Sequence, residues 1–256
     1  MIRITGVCVG LLIAWSVGVA QTQLPATIVQ PSGEQLLELI DANMVAATQQ
    51  STFSLNIQTR RGSRTIRARS WAEGSENSFT EFLDPPRERG VKMLKLGTQL
   101  WTYHPGTDRV IRIAGHLLRQ SVMGSDLSYE DLLDNQELLQ YYEAAVTGID
   151  TVLERSCWVL DLVTREGEET AYHTRRIWVD RERLLPLREE RFGSSGRLLK
   201  QTGITEVMQL TDRWYPRRMY FRDMLKEGAG MEILFETIEF DCEIPSHLFT
   251  TGALRR

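Results

Sequence analysis

The sequence is poor in the residues that announce chemistry. It has four histidines and three cysteines in 256 residues. His104, His116, His173 and His247 are scattered without the spacing of metal ligands. No H-E-x-x-H, C-x-x-C, G-x-S-x-G or P-loop pattern occurs, which removes the usual signatures of zinc proteases, thiol redox centres, α/β-hydrolases and nucleotide sites. Glu130 and Asp131 are adjacent and would point to different sides of a helix or strand, so they fit a helix start better than an acid–base pair. A triad of dispersed residues is the one enzymatic route left, because triads are not read from chain order. The expectation is a protein with no catalytic residues, no metal and no cofactor.

Positive charge is also missing. The formal net charge is −4, and −5 once Arg3 is set aside, so a whole-chain footprint for nucleic acid is absent and none is expected as a partner. The local clusters "RRGSRTIRAR" and "WYPRRMYFR" read as arginines on the solvent faces of strands. Beyond residue 20 there is no run of 18 apolar residues, so no membrane span is expected there. Cys157 and Cys242 are too few for a disulfide-dense scaffold. They are either one disulfide, which an exported compartment permits, or two buried thiols.

The first residues, "MIRITGVCVGLLIAWSVGVAQTQ", place Arg3 before an uncharged run from Ile4 to Ala20. Gly18 and Ala20 precede Gln21 in the small-x-small pattern of a cleavage site, so residues 1–20 read as a secretory signal peptide cleaved after Ala20. An uncleaved anchor is the alternative, since the run is nearly long enough to span a bilayer. Cys8 follows Val7 in mid-run, without the context of a lipoprotein acylation site. Residues 21–256 carry no Pro/Gly/Ser linker, repeat or low-complexity stretch and read as one domain.

Within that domain, "PSGEQLLELIDANMVAAT" predicts an amphipathic helix. Ser32 and Gln35 form a capping-box pair, and Leu36, Leu37, Ile40, Met44 and Ala47 share a face. The period then changes to two. "TFSLNIQTRR", "RTIRARSWAEG" and "ENSFTEFL" read as strands closed by Asp84-Pro85-Pro86, and "RGVKMLKL", "QLWTYH" and "RVIRI" read as a three-strand meander. Strand alternation is lost from Ala114 to Glu143, a long connection with short helical turns between Tyr129 and Tyr142. Three further hairpins follow, from "SCWVLDLVT" to "MEILFETIEF". The overall reading is a sheet of about ten or eleven antiparallel strands, large enough to curl, split or close.

A curled sheet covered by the helix and the connection would enclose a cavity, for which Met93, Met123, Leu117 and Leu118 would suit a flexible lining. The same residues would equally fill a packed core. In "MGSDLSYEDLL", Met123 to Leu133, Gly124 permits a tight turn, Ser125 or Asp126 can cap a helical turn, and Tyr129 suits a boundary between cavity and water.

Three segments carry a resemblance: Leu100-Trp101-Thr102-Tyr103-His104-Pro105, Arg109 to Ile113, and Met123 to Leu132. They match the patterns "LWxYxP", "RVxRI" and "MGSDxSYEDL". Later stretches, "LPLREERFGSSGRLLK", "RWYPRRMYFRDM" and "FDCEIPSHLFT", extend the match from about Glu34 to Leu254. In these the chain resembles the outer-membrane-lipoprotein-sorting-like proteins, relatives of the periplasmic carrier LolA. The resemblance implies a mainly β fold, a curved antiparallel half-barrel under a helical lid. It implies a monomeric periplasmic protein that binds or transfers lipids or the acyl chains of lipoproteins beside a transporter of the resistance-nodulation-division or ABC type. The expected cavity residues are Met93, Leu96, Trp101, Tyr103, Met123 and Tyr129. The alternative is a periplasmic protein-interaction or sensor module on the same half-barrel.

Overall fold

A computed structural model describes residues 30–59, 62–133, 138–210 and 213–256. The proposed signal peptide, with Cys8 and the cleavage site, lies outside the described residues. Pro31–Arg256 form one compact unit.

Helix α1 spans Gly33–Met44. Ser32 Oγ accepts from the Gln35 backbone N–H, and the Gln35 side chain accepts from the Ser32 N–H, the reciprocal box the sequence predicts. Leu36, Leu37 and Ile40 are its buried stripe, while Ala47 lies beyond its end.

All thirteen strands form one antiparallel sheet. The first six are β1 (Thr48–Thr59), β2 (Gly62–Glu73), β3 (Asn77–Asp84), β4 (Lys92–Leu96), β5 (Gln99–His104) and β6 (Arg109–Ile113). The next seven are β7 (Tyr142–Val152), β8 (Arg155–Thr164), β9 (Thr174–Asp180), β10 (Pro186–Phe192), β11 (Leu198–Gln209), β12 (Trp214–Asp223) and β13 (Met231–Phe240). The spatial order is 6-5-4-3-2-1-13-12-11-10-9-8-7. The chain therefore meanders from the centre to one edge, crosses to the other edge, and meanders back until β13 pairs with β1. The described residues thus hold thirteen strands where about ten or eleven are expected, and the strand that alternation hides is β7. It is an edge strand, mostly exposed, and its sequence "YEAAVTGIDTV" has little apolar surface to bury.

Among the described residues, the edges β6 and β7 share no ladder, and the chain passes from one to the other through residues 114–141. Laid flat, thirteen strands would measure roughly 58 Å from edge to edge. One apolar cluster nevertheless gathers residues of β1 to β6, β12 and β13 around Val122 and Tyr129 of the crossover. The sheet is thus curled but open. The crossover lies across its inner face as two short 3₁₀ turns, Gly115–Arg119 and Val122–Gly124, then α2 (Tyr129–Leu133) and α3 (Leu138–Tyr141). Helix α1 covers the inner face of β7–β9, packing with Tyr142, Trp158, Leu160, Leu162, Ile177 and Val179. The outer face of β3–β5 is apolar too. There Phe79 and Leu94 pack with Ala253 and Leu254 of the C-terminal 3₁₀ turns.

Cys157 and Cys242 are both free, Cys157 buried and Cys242 partly exposed. Burial pushes the Cys157 thiol up to about 11, which suppresses the reactive thiolate. A thiol-reactive dye should label Cys242 in the native protein and Cys157 only in denaturant. Equal native labelling of both would contradict the packing around β8.

Candidate functional site

The inner face holds a cavity of about 230 Å³ under the crossover. Strand alternation builds its walls. Phe53 and Leu55 of β1, Phe82 of β3, Met93 of β4, Leu100 of β5 and Ile233 of β13 point inward from neighbouring strands. Val122, Leu127 and Leu132 of the crossover form its roof. Polar groups gather at the end nearest the β2–β3 turn, where Ser75, Asn77, Ser78 and Lys95 join the lining.

The crossover is held down by charge as well as by apolar packing. Asp131, on α2, is the centre. Its Oδ2 accepts from the Ser128 N–H at 2.7 Å and Ser128 Oγ at 2.6 Å, and its Oδ1 accepts from Tyr172 Oη at 2.5 Å. Arg191 Nη1 on β10 and Lys200 Nζ on β11 each lie 3.4 Å from the carboxylate. Burial pushes the Asp131 carboxyl up, but Lys200, the Ser128 and Tyr172 hydrogen bonds and Arg191 outweigh it and hold it below the ordinary carboxylate range. Behind this pair, Glu189 accepts from Arg175 at 3.0 Å and Arg191 at 2.9 Å. Arg175, only 2% exposed, stacks over the rings of Tyr142 and Tyr172.

The segment from Met123 to Leu133 supplies most of the other fastenings. Met123 and Gly124 both take positive φ, 51° and 66°. Ser125 Oγ donates to the Val122 carbonyl and accepts from the Leu127 N–H, closing a turn. The cap of α2 is Ser128, whose Oγ accepts from the Asp131 N–H. Ser125 and Asp126 fall too early for that role. Asp126 ties the crossover to the sheet, its side chain accepting from the Asp223 N–H and its carbonyl from Lys200 Nζ. Lys226 Nζ donates to Ser121 Oγ and to the Ser125 carbonyl, both at 2.6 Å.

The six expected cavity residues divide between the two faces. Met93 lines the cavity. Tyr129 belongs to the same buried cluster, and Met123 packs against it from the crossover. Leu96, Trp101 and Tyr103 instead pack on the outer face, with the C-terminal Leu248, Phe249 and Leu254. The reason is parity: Leu100 and Thr102 of β5 are the inward pair, so Trp101 and Tyr103 must point outward. The crossover's Leu117 and Leu118 pack against the cavity-side cluster as its patterning suggests.

Sequence reasoning missed Lys95 and the Asp131 network. Met93 and Lys95 share a face by alternation, which was a usable signal for the lysine. Arg175 likewise shares a face with Ile177 and Val179, a charge in line with apolar residues that asks for a buried partner. Among the described residues, no group of three or more His, Cys, Asp or Glu could hold a metal ion, and no helix is long and apolar enough to cross a membrane.

A family model described as "-like: Uncharacterized protein" matches residues 74–256. The chain belongs to that family. Among the curated proteins, none matches significantly. Solved structures locate the fold. A domain from Vibrio parahaemolyticus named for outer membrane lipoprotein sorting is 20% identical with a TM-score of 0.78, covering 88% of this chain and 98% of its own. A DUF1329 family protein from Desulfovibrio piger is 21% identical with a TM-score of 0.79, covering 88% and 100%. A LolA superfamily protein from Nitrosomonas europaea is 20% identical with a TM-score of 0.71, again covering 88% and 100%. The family member thus has the LolA-like architecture that its sequence resemblance implies, as an open antiparallel sheet with short helices on its inner face.

Proposed function

We propose that this family member is a non-enzymatic periplasmic carrier that binds the acyl chain of a lipid or lipoprotein beneath the crossover. The observation that supports it most is the cavity itself, apolar over most of its wall and roofed by a single latched segment. Burial of methylenes at about 0.8 kcal/mol each supplies affinity without any catalytic group. Ligand pockets commonly measure ~300–1,000 Å³, and at about 230 Å³ this cavity is smaller than that range. Cargo larger than one short chain must lift the crossover. Loading and release are then lid movements, timed by a membrane transporter that delivers or collects the cargo.

The direct test is purification from the periplasm without detergent, followed by native mass spectrometry and organic extraction. A stoichiometric lipid adduct is expected. Ala72 lines the cavity near the β2–β3 turn, and Ala72→Phe should fill that end. Affinity for a fluorescent fatty acid should fall at least about tenfold, a loss of roughly 1.4 kcal/mol, with the unfolding midpoint little changed. Clean apoprotein that also refuses added fatty acids and phospholipids would reject the carrier in favour of a protein-binding module.

A further inference from the structure

We propose that the cavity selects a single-chain amphiphile with an anionic head, and that Lys95 is the counter-ion of that head. This rests on the carrier reading above and specifies its ligand.

Among the described residues, Lys95 is the one charged side chain lining the cavity. It is 9% exposed. Its Nζ donates to the Ser75 carbonyl at 2.9 Å, and it forms no ion pair with a described carboxylate. An ammonium buried beside one neutral acceptor keeps unused donors, and Glu76 acts on its charge without forming an ion pair with it, so an incoming carboxylate or phosphate would find both donors and charge to satisfy.

Strand register places this charge at one end of an otherwise apolar slot. Lys95 pairs with Ser78, and Ser78 with Ala72, in the row nearest the β2–β3 turn. Met93 and Thr80 form the next inward-facing row. Phe82, Ala68 and Phe53 follow, and then Ile66 and Leu55. From Ala72 to Ile66 is six residues of strand, about 20 Å. A head held at Lys95 would send its chain along that slot under Val122 and Leu127. A volume of about 230 Å³ drawn out over this length suits one chain rather than two.

The protonation state is compatible. Burial pulls the Lys95 ammonium down to about 8, and Glu76, in the β2–β3 turn, pushes back. The group is charged at neutral pH and loses its charge as pH rises past that value.

The test is calorimetry of the purified protein with laurate, dodecanol and inorganic phosphate, alongside Lys95→Met and Lys95→Arg. Laurate is expected to bind at least about tenfold more tightly than dodecanol at pH 7, and phosphate alone not measurably. Lys95→Met should erase the laurate preference, so that laurate binds that variant no more tightly than dodecanol does, while Lys95→Arg keeps the preference. In the unaltered protein the preference should shrink between pH 7 and pH 9. Equal binding of laurate and dodecanol, a preference that survives Lys95→Met, or binding of phosphate alone at comparable strength would each overturn the inference. Refusal of both laurate and dodecanol would reject the carrier reading itself.

Discussion

Replacing Asp131 with alanine should cost about 3 kcal/mol of stability and free the crossover before the sheet unfolds. The carboxylate is almost fully buried and receives hydrogen bonds from Ser128, Tyr172 and Arg191, with Lys200 close by. Without it, the Tyr172 hydroxyl and two cations lose a partner in a site where Asp131, Tyr172 and Arg191 are all buried. Breaking one side of a buried ion pair commonly costs about 3–5 kcal/mol. The lower end applies here, because Arg191 keeps Glu189 and Lys200 keeps Asp223. The fall should appear in urea denaturation. Hydrogen exchange should show protection lost first in residues 115–133, with β1, β2 and β13 still protected. Uniform loss across the sheet would mean that Asp131 stabilises the whole fold and does not specifically hold the lid.

The same network sets a sign for acid. The folded-state values of Asp131 and Glu189 are both held below the ordinary carboxylate range. Their contribution is therefore fully present above the unfolded values, about 3.9 and 4.3, and is lost as pH falls through the depressed folded ones. The stability gap between the unaltered protein and Asp131→Ala should stay level from pH 8 to pH 5 and close only below about pH 4. A gap that closed near pH 6 would mean that the carboxylate is not held by these cations. The latch is thus no mild-acid switch; on the carrier reading proposed above, lid opening near neutral pH comes from cargo or a partner.

Gly33→Val should unseat α1 at a cost of about 3 kcal/mol, the upper end for overpacking. A Cβ at Gly33 would lie 2.1 Å from the Ala144 carbonyl oxygen and 2.6 Å from the Ala145 nitrogen. These are backbone atoms of β7, held by its ladder with β8, so they cannot swing aside as a side chain could. Either the helix lifts or the edge strand shifts, and in both cases Leu36, Leu37 and Ile40 lose their seat on β8 and β9. Helix propensity works in the opposite direction, since valine is a better helix former than glycine, so a loss at position 33 reports the clash; Glu34→Val, one position on and exposed, gives the cost of a valine in the same turn without it. Thermal unfolding should separate the two by several degrees. Equal midpoints would show that the close approach of helix and strand is not maintained in solution.

Much of this architecture was legible because its determinants are local. The capping box and 3.6-residue stripe specified α1, and two-residue alternation with turn residues specified the hairpins. The loss of alternation after Ile113 marked the crossover. β7 escaped because an edge strand with one neighbour needs little apolar patterning. The cavity was harder to read. In "KMLKL" and "QLWTYH" alternation says that Met93 and Lys95 share a face, as do Trp101 and Tyr103, but it does not say which face is inward. Aromatic size could not decide between them, because the outer face is buried as well, under the C-terminal turns.

By itself, then, the sequence determined the class of fold, the division of the chain into helix, strands and crossover, and the membership of each strand face, since all of these follow from contacts between near neighbours. Only the tertiary structure decided which face became the cavity wall and what holds the crossover over it. Both depend on residues far apart in the chain. Asp131 meets Tyr172 and Arg191 across 41 and 60 positions, and Leu254 reaches the cluster around Trp101 from the far end of the chain. No local period encodes such pairings; they form when a curled sheet brings its two halves to face one another.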